Sequence, residues 1–183
     1  MVAMDSSDAV LRFWFTEIDA KQWWTKDAAF DDLIKTRFGA MHERTSKCEN
    51  ADWRATAQGR LAEVIVLDQF SRNIYRDQAA AFACDSLALG LAQEALRAGA
   101  ATMLSKPQLL FLLMPFMHSE SLKIHDVAVE HFQALGLAEN LDFEMKHRAI
   151  IERFGRYPHR NAVLQRASTA AEIEFLKLPG SGF

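Results

Sequence analysis

This chain of 183 residues is short of cysteine, of long apolar runs and of any dominant charge, and each shortage excludes something. Its two cysteines, Cys48 and Cys84, form neither a disulfide framework nor the paired spacing of a structural metal site. They are expected as reduced thiols of a cytoplasmic protein, because disulfides persist mainly in oxidising compartments. The longest apolar run, Leu109 to Phe116, is far too short to span a bilayer and is interrupted by Pro115. No charged segment followed by a long apolar stretch opens the chain, so no signal peptide and no membrane partner are expected. With 21 Lys and Arg against 24 Asp and Glu, the net charge of -3 gives no general pull toward nucleic acid or anionic lipid.

Chemical signatures are equally sparse. A P-loop, a dinucleotide-binding glycine fingerprint and a Gly-x-Ser-x-Gly elbow are all missing, which removes support for NTPase, Rossmann and nucleophile-elbow hydrolase readings. His118-x-Glu120 has the first half of a zinc-deaminase signature, but no Pro-Cys-x-x-Cys follows. No His/Cys/Asp set has zinc spacing, so neither a metal nor another cofactor is expected.

What the chain has is helical periodicity. Half of its residues are hydrophobic and a quarter charged, ordinary for a globular protein, and its length suits one domain over residues 1–183. Sustained period-2 alternation is missing, while apolar residues recur with a period near 3.6 throughout. The spacing predicts a first helix over 6–18 with Val10, Phe13 and Trp14 inward and Trp23 and Trp24 packing over its end. A second starts near Asp27 and carries Phe30, Leu33, Ile34, Phe38 and Met41. A polar loop over 46–56 leads to a central helix over 58–73, almost wholly apolar at Val64–Leu67.

Further helices are predicted over 79–98 with a stop at Gly99, and from Pro107 to a break at Pro115. Two more follow over 119–135 and 139–154, closed by Gly136 and Gly155; the latter carries a stripe of Phe143, His147, Ile150 and Phe154. Asn161 reads as the cap of a short helix through Gln165. Thr169 with Glu172 fits a capping box for a last helix before Pro179. The result is an all-α chain of eight or nine helices in stacked antiparallel hairpins.

Polar residues that exceed the needs of such a scaffold are the candidates for function. Asp68 and Arg72 share a face of the central helix, either as an internal ion pair or as a cation aimed into a cavity. His118 and Glu120 follow the Pro115 break and could form an acid/base pair, or could cap the next helix with Ser119 and Ser121. His147 lies on an apolar stripe, where a satisfied core histidine is the plainer outcome. The segment Phe154-Gly155-Arg156-Tyr157-Pro158-His159-Arg160-Asn161 is the densest polar stretch, in a region holding five arginines between residues 148 and 166. Guanidinium forks match carboxylate and phosphate geometry, so a small anion is the natural ligand there. The plainer account has Arg153 and Arg156 holding helix ends while Arg148 and Arg166 are solvated.

Four motifs occur in order: Leu67-Asp68-Gln69-Phe70-Ser71-Arg72-Asn73-Ile74-Tyr75-Arg76, Ala81-Phe82-Ala83-Cys84-Asp85, Met114-Pro115-Phe116-Met117-His118-Ser119-Glu120, and the 154–161 segment. With Trp23-Trp24 and the Ser168-Thr169…Glu172…Phe175-Leu176 tail, the chain closely resembles the bacterial domain-of-unknown-function family 924 over nearly its whole length. One departure is Ile124-His125, where the resemblance suggests a glutamine-like residue. The resemblance implies a tetratricopeptide-like, right-handed superhelical bundle and implies no activity. Its motif residues fall here on Asp68, Arg72, Asp85, His118, Glu120, Arg156, His159, Arg160 and Asn161.

Two functional readings follow. In one, Asp68, Arg72, Arg156, His159, Arg160 and Asn161 bind a small anionic or zwitterionic molecule, with His118 and Glu120 as candidate catalytic groups. In the other, the polar motifs are structural and the helices form a peptide or protein interaction module, which could also self-associate.

Overall fold

A computed structural model describes residues 6–182, and the described residues are helical with no strand. They divide into two compact units. Among the described residues, the first holds 6–76 together with Ala80–Pro115; the second holds Asp77–Ala79 and 116–182.

In the first unit, helix α1 (Ser7–Arg12) is capped by the Ser6 hydroxyl, which accepts from the Ala9 amide at 3.2 Å, and widens into a π turn over Phe13–Glu17. Trp23 donates to the Trp14 carbonyl at 2.9 Å, closing the predicted cover over that end. Helix α2 (Ala28–Ser46) begins at Asp27, whose carboxylate accepts from the Ala29 and Phe30 amides. It buries Phe30, Ile34, Phe38 and Met41, whereas Leu33 turns outward at 47% exposure. Position 33 lies beside the buried stripe, and apolarity alone did not fix its side.

The polar loop predicted over 46–56 contains a 3-10 turn over Ala51–Ala55. Helix α3 (Ala57–Ile65) follows, capped by Thr56. Gly59 is required there: a Cβ on it would sit 1.9 Å from the Trp53 carbonyl oxygen. The predicted central helix is continuous but not uniform, passing through a π turn at Val66–Phe70 into α4 (Ser71–Ile74). Val64, Ile65, Val66, Leu67 and Phe70 are fully buried, as the all-round apolar pattern requires. Phe38 packs its ring 4.9 Å from both Phe13 and Phe70, so an aromatic cluster joins α1, α2 and the central helix within a mostly aliphatic core.

Helix α5 (Asp85–Arg97) starts later than expected, since residues 79–82 form a separate 3-10 turn. Gly99 takes the left-handed conformation at its end. Helix α6 (Lys106–Met117) runs through Pro115 instead of ending at Met114. The proline gives up the amide bond to the Phe111 carbonyl, and only Phe116 and Met117 follow it before the helix ends.

In the second unit, α7 (Leu122–Leu135) and α8 (Ala138–Phe154) pack against one another as an antiparallel hairpin, turned by Gly136 in the left-handed conformation. Helix α7 begins three residues later than the periodicity suggests, and Ser121 at its start makes no side-chain cap. Phe143 is 40% exposed, so the stripe on α8 is buried only at His147, Ile150 and partly at Phe154. Gly155 closes α8 with φ +68. Asn161 caps no following helix: it ends a 3-10 turn over Pro158–Arg160, and Gln165 takes a positive φ that stops helical continuation. Helix α9 (Ala170–Phe175) has the predicted Thr169/Glu172 capping box, with both hydrogen bonds made.

Candidate functional site

The first motif builds an internal frame in the first unit. Asp68, fully buried, accepts from Arg72 at 3.1 Å and from the neighbouring Gln69 amide at 2.6 Å. Arg72 reaches on to both oxygens of Asp85, at 3.0 and 3.1 Å, tying the central helix to the start of α5. Its guanidinium lies 5.6 Å from the Phe82 ring centroid. Ser71 donates to the Leu67 carbonyl and meets His42 Nε2 at 2.7 Å. Asn73 and Arg76 both hold Asp31 of α2. A buried arginine needs a counter-ion, and the motif supplies its own.

In the second unit the polar residues gather around Tyr157, which is fully buried. Its hydroxyl donates to the Met117 carbonyl at 2.6 Å and lies 3.1 Å from His125 Nε2. The rings of His147 and His159 lie 5.7 and 5.5 Å from its own, and the Arg160 guanidinium stacks over it at 4.5 Å. His118 is half-buried at the same cluster, close enough to bear on His147 electrostatically.

His125 has a definite proton arrangement. Its Nε2 lies 2.8 Å from the Ser119 carbonyl, which can only accept, so Nε2 carries a hydrogen. Its Nδ1 lies 2.6 Å from Glu144 Oε1, and both residues are wholly buried. A bare carboxylate facing a bare ring nitrogen would repel it, so one proton lies between them. Burial raises the Glu144 carboxyl above its ordinary range, against the lowering by His125, and its Oε2 has no hydrogen-bond partner. Burial, reinforced by the charges of His118, His125 and His159 against the Phe143 carbonyl, pushes His147 down to about 3. It is a neutral core histidine.

Glu120 is bound from two sides. Its carboxylate accepts from the Tyr157 amide at 2.8 Å and from Arg166 at 2.6 and 2.9 Å. Burial would raise its carboxyl, but these bonds and the charge of Arg160 hold it below the ordinary range. Arg166 is therefore not simply solvated; it also bonds Asn161 Oδ1 at 3.0 Å and the Tyr157 carbonyl at 3.1 Å. Asn161 donates to Ser168 at 3.1 Å.

Arg156 grips Glu172 through Nε and Nη2, at 2.7 and 2.9 Å, and donates to the Ala167 carbonyl at 2.8 Å. This pairing, with the Thr169 amide, holds the Glu172 carboxyl well below the ordinary carboxylate range. Beside it opens a groove of about 490 Å³ lined by Arg153, Phe154, Arg156, Thr169, Ala171 and Glu172. The exposed Arg153 guanidinium stacks 4.7 Å over the Phe154 ring and 5.8 Å from that of Phe175.

Of the six predicted ligand-binding residues, Arg156 lines this groove. His159, Arg160 and Asn161 surround or adjoin Tyr157, and Asp68 and Arg72 form the frame of the first unit. Sequence reasoning missed the roles of Glu144, Tyr157 and Arg166 and the free edge of Arg153. Glu144 carried a signal, since folding α7 onto α8 about Gly136 brings it toward His125. Among the described residues, no group of three or more His, Cys, Asp or Glu could hold a metal ion, and no helix is long and apolar enough to cross a membrane.

Comparison with solved structures gives a protein of unknown function, ATU0120, from Agrobacterium tumefaciens. It is 36% identical, with a TM-score of 0.89 over 93% of this chain and 96% of that one. No curated protein matches the chain. Residues 10–180 match the model of a family described as bacterial protein of unknown function (DUF924), and the chain belongs to that family.

Proposed function

We propose that the protein binds a small anionic or zwitterionic molecule, and that the groove beside Arg156 is where it does so. The observation that carries this is Arg153. It is an exposed cation at the groove wall with no carboxylate bonded to it, just before a motif whose Arg156 is committed to Glu172. The groove, about 490 Å³, is open to solvent along one side, so a ligand held there keeps part of its surface in water. His159, Arg160 and Asn161 act from behind, fixing the turn from which Arg156 emerges. In an enzymatic form of this reading His118 carries the proton, with Glu120 kept ionised by Arg166 and orienting the turn.

A second reading is favoured by the exposed Ile173, Leu176 and Leu178 at and after α9. Helical hairpins stacked in a tetratricopeptide-like superhelix would offer that apolar edge to a protein partner or to a second copy of the chain.

A thermal-shift screen with phosphate, sulfate, carboxylates, amino acids and divalent metals, run beside Arg153→Gln, tests the first reading. A ligand at a hundredfold excess over its Kd adds about 2.7 kcal/mol, or about 5–10 °C for a chain of this size. A saturable shift that Arg153→Gln removes supports the groove. Silence from every compound, with self-association or partner binding lost on Leu178→Glu, supports the second reading instead.

A further inference from the structure

We infer that the ligand of this groove is a monoanion with an apolar body, an aryl or alkyl carboxylate, and not a zwitterion; this deepens the proposed binding reading and rests on it. Among the side chains of the lining, donors outnumber uncommitted acceptors. Arg153 brings a guanidinium with no hydrogen bond to the protein, its Cζ 4.7 Å from the Phe154 ring centroid. Arg156 uses Nε and Nη2 on Glu172 and the Ala167 carbonyl, which leaves Nη1 with no bond to the protein. The Thr169 hydroxyl is turned inward: its oxygen accepts from the Glu172 amide and its hydrogen serves the Glu172 carboxylate, so the donors left for a ligand are the two guanidiniums.

The acid in the lining, Glu172, is already committed. Its Oε1 accepts from Arg156, and its Oε2 from Arg156 and the Thr169 amide. A ligand ammonium would find no free carboxylate among the lining residues and would meet two guanidiniums. Counting Arg153 and Arg156 against Glu172, two positive charges less one negative, the lining is net +1. That balances a monoanion better than a doubly charged phosphate.

The apolar part of the ligand follows from Phe154 and Ala171, which line the same groove. Phe154 and Phe175 lie 5.0 Å apart with their planes tilted by 51°, and the Arg153 guanidinium caps both. A guanidinium resting on a ring keeps its N–H groups unspent, and such a fork can take a planar carboxylate by two parallel hydrogen bonds. A flat ring or short alkyl chain then lies along the aromatic wall, where it gains contact that acetate cannot.

Calorimetric titration of the whole chain with acetate, phosphate, benzoate, phenylacetate and L-phenylalanine tests this. The expected order has the aryl carboxylates at least about tenfold tighter than acetate, and L-phenylalanine weaker than phenylacetate by a similar factor. Arg153→Gln, an exposed change that leaves the fold intact, should weaken phenylacetate by at least about tenfold, through loss of the charge and of the paired hydrogen bonds it makes. If acetate or phosphate binds as well as the aryl carboxylates, and Arg153→Gln abolishes it, the groove stands and the ligand class is wrong. L-phenylalanine binding as tightly as phenylacetate also overturns the class. No binding by any compound, or binding indifferent to Arg153→Gln, overturns the groove and the class together.

Discussion

Replacing Glu144 tests the proton held between it and His125. In Glu144→Gln the amide can donate to His125 Nδ1 while Nε2–H still donates to the Ser119 carbonyl, so the buried pair stays satisfied without a shared proton. In Glu144→Met, a side chain of similar length, Nδ1 is buried without a partner, which costs about 1–3 kcal/mol. That lowers Tm by about 2–12 °C in a chain of this length. The pH dependence separates the two further. Glu144 is raised in the folded state, chiefly by burial. Its contribution to stability is therefore complete below the ordinary glutamate value near 4.5 and is lost as pH rises through the folded value. Wild type should match or exceed Glu144→Gln at acid pH and fall behind it steadily above about pH 4.5. All four tryptophans, Trp14, Trp23, Trp24 and Trp53, lie in the first unit, so far-UV circular dichroism is the suitable probe. A difference between wild type and Glu144→Gln that is constant with pH, or that favours wild type most at alkaline pH, would refute the shared proton.

Three more outcomes follow from the same geometry. Tyr157→Phe strips the Met117 carbonyl of its donor in a fully buried setting and should cost about 1–3 kcal/mol in chemical denaturation, with Arg160 stacking retained. Gly59→Ala forces a methyl against the Trp53 carbonyl, which is backbone and cannot step aside cheaply; a loss of at least about 1–3 kcal/mol should appear in tryptophan fluorescence unfolding. The His147 imidazole should keep the chemical shifts of a neutral ring from pH 7 down to about 3. Because its folded value is depressed, its contribution to stability is lost as pH falls from near 6.5 toward about 3, the opposite direction to Glu144.

The helices were legible because burial imposes a period, and the caps because they answer orphan amides. Asp27, Thr169 with Glu172, Gly99, Gly136 and Gly155 all sit where the sequence puts helix ends. What periodicity could not show was where a helix changes its winding. The π turns at Phe13–Glu17 and Val66–Phe70 are continuous with the helices before them, and α6 continues through Pro115 for two residues. Leu33 and Phe143 look like core residues by type and are exposed by position.

For the site, the residue types drew attention to the 154–161 segment, but pairing is a long-range property. Glu120 meets Arg166 and Arg156 meets Glu172 only after α8 and the following turn have folded back. No local spacing encodes either pair. Arg153 was visible as one arginine among five, and what distinguishes it is the partner it lacks and the ring beneath it.

The central claim is that the groove beside Arg156 takes a small anion. Amide and arginine side-chain resonances followed by NMR during titration with phenylacetate test it most directly. The account predicts saturable shifts confined to Arg153, Phe154, Arg156 and the 169–172 turn. Shifts scattered over the surface, or centred away from those residues, would contradict it.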